Sequence, residues 1–146
     1  FILKKKNFKD FSTRQEKMAT RKDIDKLVLF DRSIEKEDLN KPISKIERSR
    51  IQPKENFIFK IKGKIVSKAN IHGYSKNYFQ IGGVGTAEKH RGKGYAKRVM
   101  SALCRHYFDQ GLRYALLFTA NTNKATQKVY KTLGFKPTGK FIIARY

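Results

Sequence analysis

Apolar positions change period along this chain, and each change predicts a different element. Between residues 57 and 69 they alternate: Phe57, Phe59 and Ile61, then Ile65, Ser67 and Ala69, on either side of Lys62-Gly63-Lys64. Such alternation marks strands, and a glycine-centred break between two of them predicts a β-hairpin. A third run, "YFQIGGVGT", follows a turn at Lys76-Asn77. Its paired glycines and Gly85 predict a bulged or bent strand whose backbone something approaches closely. From Ala96 the period lengthens. Ala96, Val99, Met100, Leu103, Cys104 and Tyr107 recur at helical spacing, and Gly111 stops the helix. "YALLFTA" is continuously apolar, as a buried strand is. Ala125, Val129, Tyr130 and Leu133 then form a helical stripe, led in by Asn121 and Asn123 and closed by Gly134, before "FKPTGKFIIARY" supplies final strand material.

Upstream, "MATRKDIDKLVLF" predicts a strand end and then a short helix capped by Thr20, with Ile24, Leu27 and Val28 on one face. "SIEKEDLNKPISKIERSRI" predicts a helix capped by Ser33 and interrupted or restarted around Pro42. The order is β-α-α-β-β-β-α-β-α-β, a mixed α/β sandwich whose strand–loop–helix–strand unit crosses over right-handed. A chain of 146 residues fits one domain. Residues 13–146 read as that domain, and residues 1–12 as a tail or the trimmed edge of a longer chain.

Composition narrows the class. Hydrophobic residues at 39% and aromatics at 12% suffice for a packed core and exclude a disordered chain. No apolar run is long enough to span a membrane, and the start carries too short an apolar stretch for a signal peptide. Cys104 stands alone, so no disulfide framework or thiolate metal cluster is expected, and a reducing cytoplasmic compartment is the default. The formal charge of +22 is uneven: residues 1–56 hold 16 Lys/Arg against 10 Asp/Glu, whereas residues 57–146 hold 18 against 2. A field of that sign favours anionic ligands, whether nucleic acid, phosphorylated cofactors or acidic surfaces. A Lys bias in solvent-facing positions, with 24 Lys against 10 Arg, would give the same total.

Charge and glycine meet in "EKHRGKGYAKRVM", residues 88–100. Glycine is among the poorest helix formers, yet Gly92 and Gly94 stand where a helix opens. A helix N-terminus presents unpaired N–H groups and partial positive charge, and glycine lets an anion approach them. Arg91 and Lys93 add cations. A dinucleotide fingerprint is disfavoured, because Lys97 occupies its third glycine position, and a phosphate-binding P-loop pattern is absent.

Here the sequence resembles the GNAT superfamily of N-acetyltransferases. Arg91-Gly92-Lys93-Gly94-Tyr95-Ala96 is similar to the family's acetyl-CoA motif: Gln or Arg, two residues, Gly, one residue, then Gly or Ala. "NTNKATQKVYKTLGF" resembles its second signature, with Asn123 and Tyr130 in place ahead of Gly134-Phe135. The likeness is strong over residues 56–140, moderate over 18–55, and absent over 1–12. It is greatest to a bacterial subgroup often joined to an extra N-terminal region. It implies a mixed, mostly antiparallel split sheet flanked by helices. It also implies that Val84, Gly85 and Thr86 pair through their backbone with the pantetheine arm of acetyl-CoA. The diphosphate would lie on Arg91, Gly92, Lys93, Gly94, Tyr95 and Ala96, with backbone N–H groups near Val84 facing the developing oxyanion.

Tyr130 lies on a core-facing stripe and is equally a packed aromatic; the resemblance implies the acid that protonates the departing CoA thiolate. Asn123 would contact the pantetheine amides, cap its helix, or do both. The base stays open among Glu88, His72, Tyr74 and a water relay. His90 is expected beside the diphosphate, and His106 and Cys104 in packing. Acetyl-CoA and an amine acceptor are the implied partners, with no metal and no membrane; a homodimer or an additional N-terminal domain is compatible with the pattern. Like-charge repulsion argues against polycationic acceptors. The alternatives are a basic nucleic-acid- or ribosome-binding module with a vestigial CoA site, which needs aromatics interleaved with Lys/Arg on an exposed face, and a CoA-binding regulatory domain without turnover. Phe57 and Phe59 could begin such a face or simply be core.

Overall fold

Lys62 and Gly63 both adopt positive φ, at 50° and 80°, which is the backbone of the two-residue turn that matches strand twist. They join β3 (Asn56–Ile61) to β4 (Lys64–Tyr74), antiparallel from Ile61↔Lys64 to Asn56↔Asn70. The computed structural model describes residues 1–119 and 124–139. Among these, six strands form one sheet in the order β1-β6-β5-β4-β3-β2. The others are β1 (Ile2–Lys4), β2 (Lys17–Met18), β5 (Tyr78–Thr86) and β6 (Tyr114–Leu117). The helices are α1 (Ile24–Glu35), α2 (Lys45–Ser49), α3 (Tyr95–Asp109) and α4 (Lys124–Leu133).

Both faces of the hairpin are covered. Phe57, Phe59, Ala69 and Ile71 join Val99, Met100 and Leu103 of α3 in the larger core, whereas Ile58 and Ile65 pack with Leu27 and Phe30 of α1. Phe57 and Phe59 are therefore core residues, not an exposed base-stacking platform. The helix expected from Ala96 onward is α3, and Gly111 at φ +98° lets the chain leave it.

The β5–α3–β6 crossover makes β5 and β6 parallel from Tyr78↔Tyr114 to Ile81↔Leu117. β6 ends there. β5 continues to Thr86 paired with β4 alone among the described residues, so the sheet splits between β5 and β6. Every other pairing is antiparallel.

Two upstream expectations are corrected. Residues 1–12, read as a tail or a trimmed edge, pack onto the domain. Leu3 is fully buried and β1 pairs with β6, with Ile2 also bridged to Lys136. A short apolar strand there covers a sheet edge that would otherwise expose unpaired amides. Nor does Ser33 cap a helix: α1 runs through it, and its hydroxyl donates back to the Phe30 carbonyl at 2.6 Å. Ile34, packed against the α1-side core, carries the helix on. The chain reverses at Lys36 in the left-handed conformation and restarts at α2, which Ser44 caps with Glu47. Of the expected final strand, residues 135–139 are described and give only the Lys136 bridge to Ile2, and the rest lies outside the described residues.

Candidate functional site

The turn before α3 is built by its glycines. Gly92 and Gly94 have φ of +78° and +82°, a conformation most side chains resist. Among the described residues, chain neighbours aside, no atom lies within 4 Å of where a Cβ on either would stand, so packing is not what demands glycine there. The first helical bond runs from the Arg98 N–H to the Gly94 carbonyl, which leaves the amides of Tyr95, Ala96 and Lys97 ahead of the ladder. No acidic side chain stands in this first turn, and no side chain caps it. Arg91 and Lys93 are exposed, and Arg91 Nε donates to the Thr86 carbonyl at 3.1 Å, tying the turn to the end of β5. Bare amides, open space above two glycines and flanking cations suit a diphosphate.

The turn is held from behind. Tyr95 packs edge-on against Phe59 with centroids 4.8 Å apart, and the Arg98 guanidinium lies over the Phe59 ring at 4.3 Å. Arg98 pairs with Glu16, whose side chain is fully enclosed. Burial alone would raise the Glu16 pKa, but the Thr13 hydroxyl and amide, its own backbone and Arg98 together hold it below the usual carboxylate value. His90, the residue immediately before Arg91, has a buried Nδ1 with no partner among the described residues. An open cleft of about 410 Å³ lies beside the turn, between Ser33, Ile34 and Lys36 of the α1 end and Ala87, Glu88, Lys89 and Arg91.

The bulge predicted in β5 is present. Lys68↔Gly85 is followed by Asn70↔Gly82, so β5 carries an extra residue there. A compensating bulge follows in β4, where Ile71↔Ile81 is succeeded by Gly73↔Gln80 and His72 is the extra residue. The close approach to the glycines comes from within the chain. A Cβ on Gly82 would collide with the His72 ring, and one on Gly83 with the Asn70 carboxamide. Nothing in the sequence pointed to Asn70. Val84 packs at the edge of the main core, and Gly85 faces Ile34 and Phe30 of α1. Ser67 of β4 reaches the Gly85 carbonyl at 3.1 Å and the Thr86 hydroxyl at 3.0 Å, steadying this end of β5.

Tyr130 is buried on the inner face of α4, edge-on to Phe1 at 5.8 Å and near Phe135 at 6.0 Å. Burial pushes its hydroxyl pKa up, so at neutral pH it holds a proton that it can donate. Asn123 lies outside the described residues. Glu88 is exposed in the turn before Arg91, and Tyr74 is exposed at the end of β4. His106 stacks on Phe57 and Tyr107 and bonds Gln110, while Cys104 is fully buried with its thiol pKa raised by desolvation. Both are packing residues. Among the described residues no His, Cys, Asp and Glu gather as a metal site, and no helix is long and apolar enough to cross a membrane.

The sheet is mostly antiparallel, and β5 runs on past its last pairing with β6 toward the glycine turn that opens α3. The family model of the acetyltransferase (GNAT) family matches residues 21–135, and the chain belongs to that family. Its fold is similar to that of an acetyltransferase of the GNAT family from Colwellia psychrerythraea, with 22% identity and a TM-score of 0.73 over 92% of this chain and 50% of that one. This chain thus spans half the length of that relative. It is also similar to the aminoglycoside N-acetyltransferase AAC(6′)-Iy in complex with CoA, with 27% identity and a TM-score of 0.56 over 62% of this chain and 74% of that one. The same enzyme with the bisubstrate analogue CoA-S-monomethyl-acetylneamine aligns over 90% of this chain and 96% of its own, at 19% identity and a TM-score of 0.72. No curated protein matches the sequence.

Proposed function

We propose that this chain is an acetyl-CoA-dependent N-acetyltransferase that acetylates a primary amine by direct attack. The observation that carries this reading is the pair of left-handed glycines opening α3 onto free space, next to the end of the β5 stretch that runs on past its last pairing with β6. Bound acetyl-CoA supplies an activated acetyl group as a thioester. The amides of residues 92–97, with Arg91 and Lys93, hold the diphosphate. The backbone of Val84, Gly85 and Thr86, on the stretch of β5 beyond the last β6 pairing, takes the pantetheine arm, and Asn123 contacts its amides. N–H groups near Val84 stabilise charge on the acetyl oxygen. Tyr130, kept protonated by burial, gives its proton to the leaving thiolate. With two acids against 18 cations in residues 57–146, the acceptor is a neutral or anionic amine rather than a polycation.

The test is a panel of amino acids, peptides, small primary amines and aminoglycosides, with CoA thiol release followed for each. Turnover with an amino acid or peptide above the rate without acceptor supports the reading. Binding of CoA without release for any acceptor would favour a regulatory CoA-binding domain.

A further inference from the structure

His72 occupies a bulge in the sheet rather than a regular ladder position. It is the unpaired residue of the β4 bulge, left over when Ile71 pairs with Ile81 and Gly73 with Gln80. Bulges re-aim side chains, and they recur beside active sites. This one lays the imidazole flat over Gly82, the first residue of β5 beyond the last pairing with β6, at Ile81↔Leu117. Any side chain on Gly82 would displace the ring. On the same stretch Asn70 leans over Gly83, so two polar groups of β4 stand over the paired glycines at the mouth of the split. His72 is nevertheless exposed, and among the described residues no group hydrogen-bonds its ring nitrogens. The face it stands on is the one α1 covers further along, where Lys68 pairs with Asp31 at 2.8 Å, whereas His72 itself is exposed. A histidine used for packing looks different in this same molecule: His106 lies between Phe57 and Tyr107 with its Nε2 bonded to Gln110.

We propose that His72 is the proton acceptor for the incoming amine, a role that rests on the acetyltransferase reading above. As the amine nitrogen forms its bond to the acetyl carbon, the C–S bond breaks and its electron pair leaves on sulfur. The surplus proton on nitrogen passes to an imidazole nitrogen of His72, and the Tyr130 hydroxyl protonates the sulfur. His72 then releases its proton to water and Tyr130 regains one. Gly82 makes room for the ring, and Asn70 lines the approach.

Two measurements need no identified acceptor. Diethylpyrocarbonate carbethoxylates accessible histidines, and peptide mass spectrometry resolves positions 72, 90 and 106. With acetyl-CoA at about 100 times its dissociation constant, about one protein in 100 stays free, so modification at His72 should slow to about that extent. The His72→Cys protein incubated with acetyl-CoA should acquire an acetyl group at position 72 and none at the buried Cys104. Unchanged modification of His72, or no acetyl group at position 72, overturns the proposal. If either failure comes with an intact CoA-induced melting shift, only the assignment of His72 falls; if the shift is lost too, the acetyltransferase reading falls with it. On the acceptor identified by the panel, His72→Ala should lose about 10²-fold in kcat at unchanged KM for acetyl-CoA, with free imidazole restoring part of the rate. Full turnover in His72→Ala overturns the role.

Discussion

Glu16 and Arg98 lie 3.5 Å apart, the carboxylate wholly enclosed and the guanidinium one-fifth exposed. The pair joins the chain's opening segment to the first turn of the helix that carries the anion site. Along the way that segment follows α3: Phe8 packs on Phe108, Asp10 faces Arg105, the Phe11 amide donates to Ser101 Oγ, and Lys97 lies over the Phe11 ring. It then ends in β2 at the far edge of the sheet from β1. A strap from edge to edge therefore fixes α3 and its glycine turn.

Removing the enclosed carboxylate should show this. Glu16→Ala leaves Arg98 partly buried without its counter-charge, a change that costs about 3 kcal/mol in comparable pairs. Urea unfolding should give a lower midpoint at an unchanged slope. A midpoint within error of the parent's would mean that Thr13 and Gln15, which also bond Arg98 or its partner, hold the strap alone.

Acid should destabilise the fold in a defined window. Arg32 holds Glu47 at about 2, against an ordinary 4.5. Asp23, where burial is outweighed by Lys60 and the Thr20 amide, also lies below its ordinary value, as does Glu16. Depressed native pKa values mean that the unfolded chain takes up protons first. The stabilisation is thus complete above about pH 4.5 and drains away as pH falls toward about 2. Melting temperatures recorded across that range should fall, and less steeply in Glu16→Gln. A flat profile would contradict the assigned ion pairs.

The two roles of Gly94 can be separated. Asn tolerates left-handed backbone, whereas a β-branched residue there is strained by about 1–2 kcal/mol. Gly94→Asn should keep most of the melting temperature yet place a side chain where the diphosphate lies, weakening CoA binding at least tenfold. Gly94→Val should lose both stability and binding. Unweakened CoA binding by the folded Asn variant, measured by calorimetry, would remove the glycine turn from the ligand site.

Tyr130→Phe keeps the ring against Phe1 and Phe135 while deleting the proton. Turnover should drop by about 10²–10⁴-fold with CoA affinity nearly unchanged. Parent-like turnover would leave Tyr130 a packing residue.

The fold was legible where pattern and turn chemistry agreed. The hairpin at Lys62 and Gly63, the α3 stripe with its Gly111 exit and the bulge at Gly82 and Gly83 all announce themselves in the sequence, because each needs a particular residue type locally. The Arg91-Gly92-Lys93-Gly94 turn did so as well. What escaped depends on partners distant in sequence. Leu3 reads as tail until β6 gives it an edge to join, and Ser33 reads as a cap until Ile34 finds the core. Nothing in the sequence singles out Glu16, because its partner Arg98 stands more than eighty positions onward. Asn70 gained meaning only once β5 brought a glycine beneath it, and His72, one of several candidate bases in the sequence, was set apart from the others only by the bulge over Gly82.

The central claim is that the turn opening α3 binds the CoA diphosphate, and thermal unfolding with added ligand tests it most directly. Acetyl-CoA or CoA at about 100 times its dissociation constant should add about 2.7 kcal/mol of stability and raise the melting temperature accordingly. ATP, which lacks the pantetheine arm, should raise it less at equal concentration. A melting curve unmoved by millimolar CoA would contradict the account.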